Sequence, residues 1–435
     1  MADVRPLKGL RYSQEEISNL AEVVTPPYDV ISPEAQECYY QRNPYNVIRL
    51  EYGQQKTGDD TLNNVYTRAA ATLAEWRLQG IIRQQEASCY YLYQQRFTYG
   101  GQSYTRTSLL ARVRLEPWSA RVVLPHEDTL AKAKEDRLNL LRASATNLSP
   151  IMSLYNDPQG RMRRLLQAYA EQAEIQIVDE AGEEHRLHPI TDPQQIELIQ
   201  DFFAPRQLYI ADGHHRYTTA LNYREEMLEQ RRELHPEDGI NFVMMALIDV
   251  DDPGMLVLPT HRLLFGLSES TLAALTPQRL AQYFTVQPIA AQESHEAMLN
   301  QLAQAGRERP SLIIYRRGRP LLLSLNEEGR RYMDASGRSD AWNQLDVAMT
   351  QRVVVESLLG LNAQDMTGGT HVRYTHDEQE AFQAVEQGEV QVAVLLNGTP
   401  LQQVCDVAQA DDRMPQKSTY IYPKLITGLV MNPLW

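Results

Sequence analysis

The densest group of chemically capable residues is Asp212-Gly213-His214-His215-Arg216, with Thr218 and Thr219 following closely. An apolar run, Leu208-Tyr209-Ile210, precedes it, and His215 to Arg232 reads as a long helix. A buried strand that delivers a glycine turn to a helix start suits anion binding. The first N–H groups of a helix lack intrahelical acceptors and carry the positive end of the dipole. Gly213 permits a tight turn and a close ligand approach. His214, His215 and Arg216 place three possible cationic donors there, and Arg216 can grip a phosphate with two hydrogen bonds. The plainer alternative makes Asp212 a helix N-cap and leaves the histidines in water. Positive side chains at a helix start oppose the dipole unless an anion offsets them, which favours the phosphate cradle.

Two further segments carry candidate chemistry. In Pro125-His126-Glu127-Asp128-Thr129, polar residues follow the strand-like Val122 to Leu124 and open a helix. A carboxylate there either serves the helix dipole or, beside a bound phosphate, takes a hydroxyl proton or holds magnesium. In Met414-Pro415-Gln416-Lys417-Ser418-Thr419, the Lys-Ser-Thr order echoes the end of a P-loop. No glycine spacing precedes Lys417, so a Walker motif is not supported. The loop could still close over an anion with Lys417, Ser418, Thr419 and the nearby Lys424. Thr25 to Asp29 reads as turn chemistry, and His261 with Arg262 as part of an apolar strand. His185, His188, His371 and His376 read as surface residues. A metal-dependent hydrolase ranks last, because adjacent histidines on a helix do not easily face one metal.

These segments need elements to hold them. Asn46 to Glu51 reads as a short strand and Asp60 to Gln79 as a helix ended by Gly80. Cys89 to Tyr99 and Tyr104 to Glu116 form a hairpin about Gly100-Gly101, and a second hairpin surrounds Ala181-Gly182. Strands are expected at Gln207 to Ala211, Asn241 to Val250 and Leu256 to Phe265, with helices at Met162 to Ala173 and Ile196 to Phe203. Beyond Gly266, helices near 291–306, 340–358, 377–386 and 401–409 alternate with strands near 311–325 and 390–396. The class is mixed α/β, in the α+β sense. Three regions are expected: 1–85, 86–265 and 266–435.

With 435 residues, 43% hydrophobic and 23% charged, the chain has a globular composition. A net charge of −14 argues against a general partner in nucleic acid or at a membrane surface. It leaves room for a small anionic ligand in a local basic pocket. Three distant cysteines suit reduced thiols, and no apolar run approaches the roughly 20 residues of a membrane span. With no apolar h-region near Met1, a cytoplasmic location is expected. The oligomeric state is not readable.

The chain resembles the prokaryotic family designated domain of unknown function 1015. The match lies in Arg5 to Tyr12, Thr25 to Ser32, Leu124 to Thr129 with Asp136-Arg137-Leu138, Asp212 to Tyr217 with Leu258 to Leu263, and Met414 to Lys424. More distantly, the Asp-Gly-His-His-Arg turn is similar to that of serine kinases with a ParB/sulfiredoxin-like fold. That resemblance implies a phosphate-binding core of this fold, carrying a large insertion and an additional α+β domain. It implies Glu127, in Pro125-His126-Glu127, as base on a substrate hydroxyl, with His126 beside it. Asp212, Gly213, His214, His215, Arg216 and Thr219 become phosphate partners, Asp212 also a magnesium ligand, and Lys417, Ser418 and Thr419 close the site. The implied activity is phosphoryl transfer from ATP or ADP, with Mg2+, to a small hydroxyl substrate, L-serine foremost. The separation of 85 positions from Glu127 to Asp212 departs from a compact kinase of that type. The competing expectation is a regulator that binds a nucleotide or phosphometabolite without catalysis.

Overall fold

In a computed structural model, residues 1–129, 131–231, 233–362, 365 and 369–435 are described. The architecture is mixed α+β, with helices packed on several sheets. The chain forms two compact units. The first contains Met1–Pro125, Thr129–Met255 and Pro423–Trp435; the second contains His126–Asp128 and Leu256–Tyr422.

The first unit is built on a nine-stranded sheet. Its path runs Val123–Leu124, Leu208–Asp212, Ile151–Tyr155, Phe242–Asp249, Gln102–Arg114, Tyr90–Tyr99, Glu184–Ile190 and Ile175–Val178, with Val4–Arg5 beside Gln102–Arg114. The expected hairpin forms, pairing Tyr99 with Gln102 and Tyr91 with Leu110 across Gly100-Gly101. Both glycines have positive φ, which the turn requires. The second hairpin closes through Ala181 and Gly182, with Glu184 opposite Val178. At the other end of the sheet, Val123–Leu124 and Leu208–Asp212 run parallel, so both strands end at the same edge. One face of this sheet carries the apolar core, including Leu109, Val113, Ile151, Phe203, Ile210 and Met245. Each such side chain contributes about 1.5–3 kcal/mol by leaving water. Helix Pro193–Phe203, started by the Asp192 cap and a proline, buries Ile199, Phe202 and Phe203 in that core.

The second unit has a six-stranded antiparallel sheet in the order Phe284–Pro288, Leu321–Leu325, Ser311–Tyr315, Val392–Leu396, His261–Leu264 and Val372–Thr375. Apolar clusters line both of its faces. The expected strand Leu256 to Phe265 is interrupted at Pro259. Leu256–Leu258 pairs with Tyr420–Tyr422, while His261–Leu264 enters the six-stranded sheet. Proline cannot donate a ladder hydrogen bond, which explains the break.

Asn46 to Glu51 corrects the sequence reading. It is not a strand; Ile48–Glu51 is one helical turn that buries Ile48, Leu50 and Glu51. The Asn46 side chain accepts from Ile48 N at 2.9 Å and donates to the Glu22 carbonyl at 2.7 Å. A buried asparagine that satisfies the backbone on both sides outweighs the strand preference of Val47 and Ile48. Helix Val65–Leu78 begins five residues later than Asp60, where Asn64 and Thr67 form a reciprocal cap. The helix expected to reach Ala173 is Arg161–Gln167 only. Residue 232, the expected end of the long helix after the glycine turn, lies outside the described residues.

Candidate functional site

The strand Leu208–Asp212 carries four buried residues and then Asp212 at its end. Its register against Ile151–Tyr155 shifts between Ile210 and Asp212, a bulge that re-aims the last residue. Gly213 follows with φ of 101°, a conformation closed to other residues. A Cβ on it would lie 3.0 Å from Arg216 Nε, so the glycine also makes room for that guanidinium. Helix His214–Arg231 starts immediately. Its first turn is pinned by the buried Tyr217, whose hydroxyl donates to the Glu116 carbonyl at 2.8 Å and accepts from Glu116 N at 3.0 Å. Trp118 packs on the same ring at 4.6 Å.

Asp212 turns its side chain to two cations. Its Oδ2 accepts from Arg216 Nη2 at 2.6 Å and its Oδ1 from Lys424 Nζ at 2.7 Å. Lys424 arrives from the far end of the sequence, in the C-terminal segment of the same unit. Both cations are largely buried, Arg216 at 14% and Lys424 at 13% side-chain exposure. Burial alone would raise the Asp212 carboxyl, but the Lys424 and Arg216 charges outweigh it and hold the group well below the usual carboxylate range. The turn therefore carries two permanent cations and one anion. His214 is buried and adds to the field that keeps Asp212 ionised. His215 is half-buried, and burial, with Lys134 adding, lowers its pKa below the ordinary histidine value. At neutral pH His215 is a neutral hydrogen-bonding ring. Thr219 is buried, and its hydroxyl has no partner among the described residues.

Asp212 was expected to hold magnesium as well. With an ammonium and a guanidinium each on one oxygen, the carboxylate is poorly suited to a divalent cation.

The turn continues into a buried polar chain that sequence reading missed. Arg216 Nη1 donates to the Pro150 carbonyl and reaches Ser149 Oγ at 3.4 Å. Ser149 Oγ donates to Glu51 Oε1 at 3.0 Å. Arg137 Nη1 donates to the Glu51 carbonyl at 3.0 Å, and its other nitrogens hold Asp136 at 2.6 and 2.8 Å. Tyr28 lies under the Arg137 guanidinium, 3.9 Å from centroid to Cζ. Burial pushes the Tyr28 hydroxyl up to about 12, so it stays neutral. Burial also raises the Glu51 carboxyl, with Arg137 and Arg216 opposing that rise. Tyr28 and Arg137 sat in motif segments, but nothing in the spacing paired them with Glu51 or Ser149.

His126, Glu127, Lys417, Ser418 and Thr419 belong to the second unit. There Met414 N donates to the His126 carbonyl at 2.8 Å, and Arg413 Nε lies 3.9 Å from Asp128. The Pro-His-Glu segment and the loop before Lys417 are thus neighbours. His126 is buried and Glu127 half-buried. Lys417 is exposed with φ of 58°, while Ser418 is buried and donates its hydroxyl to Pro415 O; Thr419 is half-buried. His185, expected at the surface, is fully buried: Tyr93 Oη lies 2.8 Å from Nδ1 and Asp179 Oδ2 lies 3.1 Å from Nε2. Two polar partners on a sheet face make its burial tolerable. His261 is buried as a core histidine, with Leu396 N donating to its Nδ1 at 3.2 Å.

The fold and site describe a mixed α+β protein with a cationic strand–turn–helix centre. The chain belongs to the family described as "Protein of unknown function (DUF1015)", whose match spans residues 4–348. No curated protein matches the sequence. Among solved structures, a conserved hypothetical protein from Pyrococcus furiosus is 10% identical, with 75% of this chain and 97% of that one covered and a TM-score of 0.37. A free serine kinase in complex with AMP is 11% identical, covering 74% and 92%, with a TM-score of 0.37. SbnI with a C-terminal truncation, from Staphylococcus aureus, is 13% identical, covering 75% and 87%, again at 0.37. Among the described residues, no helix is long and apolar enough to cross a membrane.

Proposed function

We propose that the Asp212–Arg216 turn holds the phosphates of a nucleotide, ATP or ADP, and that the chain transfers a phosphoryl group to a small hydroxyl compound. L-Serine is the first candidate acceptor. The observation that carries this reading is the pair of buried cations, Arg216 and Lys424, on the single carboxylate of Asp212. Both cations stand at a helix start, where the dipole favours an anion. His215, neutral, and Thr219 add hydrogen-bonding groups without adding charge.

In this reaction the acceptor oxygen bonds to the terminal phosphorus as the bond to the bridging phosphate oxygen breaks. The acceptor's proton passes to Glu127, while Arg216 and Lys424 stabilise charge on the transferring group. Support for Glu127 comes from its place in Pro125-His126-Glu127, upstream of the Asp212 turn in chain order. The sequence resemblance to serine kinases assigns the same role.

The test is thermal-shift and calorimetric titration with ATP, ADP, AMP and inorganic phosphate, with and without magnesium, on the full chain. Lys424→Ala should weaken nucleotide binding by about tenfold to a hundredfold, the worth of one charge-assisted hydrogen bond. Unchanged affinity in that variant would remove the turn from nucleotide binding. With L-serine as acceptor, Glu127→Gln should abolish turnover and leave nucleotide affinity nearly intact. Nucleotide binding with no transfer to any hydroxyl compound, in wild type as in Glu127→Gln, would instead establish the regulator.

A further inference from the structure

Arg106 is a buried cation of the first unit that the phosphate reading does not use. It lies in strand Gln102–Arg114, whose Leu109, Ala111 and Val113 belong to the apolar core. Alternation along the strand turns Arg106 to the opposite face. Asp212 stands on that face too. Ile210 is a core residue, but the bulge after it sets Asp212 opposite Met152, which alternates with the core residues Ile151 and Tyr155.

Arg106 is only 1% exposed. Its Nη2 donates to Oε1 of Gln95, the residue opposite it on the neighbouring strand. Gln95 Nε2 donates in turn to the Lys424 carbonyl at 2.9 Å, and the Lys424 ammonium holds Asp212. The guanidinium is thus one side chain away from the Asp212 clamp. Its Nε and Nη1 are buried and, among the described residues, have no hydrogen-bond partner. The charges of Asp252, Glu183 and Asp212 reach it, but none of them takes those two donors. Asp252 accepts instead from Thr107 N at 3.1 Å and Gly254 N at 2.8 Å, and Asp212 from Lys424 and Arg216. Burial lowers the Arg106 pKa only to about 10, so the charge persists at neutral pH. A buried cation with free donors is unfavourable, and an anionic group that meets it relieves that cost.

We infer that Arg106 anchors the carboxylate of the acceptor, so that the acceptor is a small hydroxy acid or hydroxy amino acid and not a neutral alcohol. The inference rests on the phosphate reading of the Asp212 turn, which puts the acceptor hydroxyl near Lys424. The terminal phosphate occupies Arg216 and Lys424, and Arg106, held off by Gln95, is left for a charge at the far end of the acceptor. A singly charged carboxylate suits it better than a second phosphate, because Asp252, Glu183 and Asp212 oppose each added negative charge.

The experiment titrates the full chain calorimetrically, with and without ADP and magnesium, using matched pairs. L-Serine is set against 2-amino-1,3-propanediol, and D-glycerate against glycerol, each pair differing by a carboxylate in place of a hydroxymethyl group. The acids should bind about tenfold to a hundredfold more tightly than their alcohols, the worth of one charge-assisted hydrogen bond. Arg106→Met should erase that preference and leave ADP affinity unchanged. Its urea midpoint should hold, because an apolar chain replaces a cation with free donors. Arg106→Lys restores the charge and should recover part of the preference; should Arg106→Met fold poorly, an undiminished preference in Arg106→Lys counts against the anchor. Equal binding of acids and alcohols by the wild type, or an acid preference that survives Arg106→Met, overturns the inference. Loss of ADP affinity in Arg106→Met does so too, by placing the guanidinium among the phosphate contacts. ADP binding with no acid bound at millimolar concentration overturns the inference and spares the phosphate turn. Acids bound through Arg106 without any ADP binding would sink the phosphate reading and leave the carboxylate anchor standing.

Discussion

Lys424→Met tests whether the turn is held by its charges. The Lys424–Asp212 contact is 2.7 Å, with side-chain exposures of 13% and 20%. At an effective dielectric of about 20, charges at that distance attract by about 6 kcal/mol before desolvation is subtracted. Desolvation of both groups consumes much of this, and charge-assisted hydrogen bonds net about 1.5–3 kcal/mol. Arg216 remains on the other oxygen, so the variant should lose about 2 kcal/mol of stability at pH 7. A double-mutant cycle with Asp212→Asn should return a coupling of similar size. The pH dependence follows from Asp212, whose folded pKa is depressed below an unfolded value of about 3.9. The contribution of the pair is therefore complete above about pH 5 and drains away as the pH falls below about 4 toward the folded value. Urea unfolding followed by circular dichroism, at pH 7 and again near pH 3, measures both effects. A coupling under about 0.5 kcal/mol, the range of an exposed pair, would refute the clamp. So would a gap between wild type and variant that stays constant into acid.

Three other perturbations have defined outcomes. Gly213→Ala forces a side chain to φ of 101° and against Arg216, so it should lose about 1–3 kcal/mol and most phosphate affinity, read by urea midpoint and thermal shift. Arg137→Met leaves Glu51 buried without its counter-charge and should destabilise by about 3–5 kcal/mol at pH 7. That loss should ease in mild acid, because burial raises the Glu51 carboxyl and its neutral form tolerates the site; a loss independent of pH would contradict the pairing. The His215 ring should titrate by NMR with a midpoint below about 6.5. Its unfolded state then binds more protons, so its contribution makes stability fall on acidification through that range; a midpoint above 6.5 would reverse the sign.

Much of the frame was readable because local rules and tertiary packing agree in it. The tyrosine-rich run, the paired glycines and the returning alternation around Gly100 specify a hairpin by turn chemistry alone. Leu208 to Ile210, a glycine, and a long polar helix specify the strand–turn–helix. The failures lie where a side chain's partner is remote. Asn46 to Glu51 reads as a strand by its β-branched residues, yet the asparagine finds the Glu22 carbonyl 24 residues away. Glu51, Arg137 and Ser149 meet across separations of 86 and 98 residues, with no periodicity to announce it. His185 alternates like a surface residue because nothing in its strand reveals that Tyr93, on the neighbouring strand, hydrogen-bonds to it.

Lys424 shows what a remote partner adds to a local motif. A carboxylate placed at a helix start to satisfy amides needs no cation, and one placed to neutralise Arg216 needs only that one. Asp212 instead places one oxygen on each of two cations. Both cations stand at the positive end of a helix dipole, where an anion is favoured. Burial of Arg216 and Lys424 removes the water that would screen them. Under the proposed function, Asp212 serves to hold Arg216 and Lys424 in position for the phosphate.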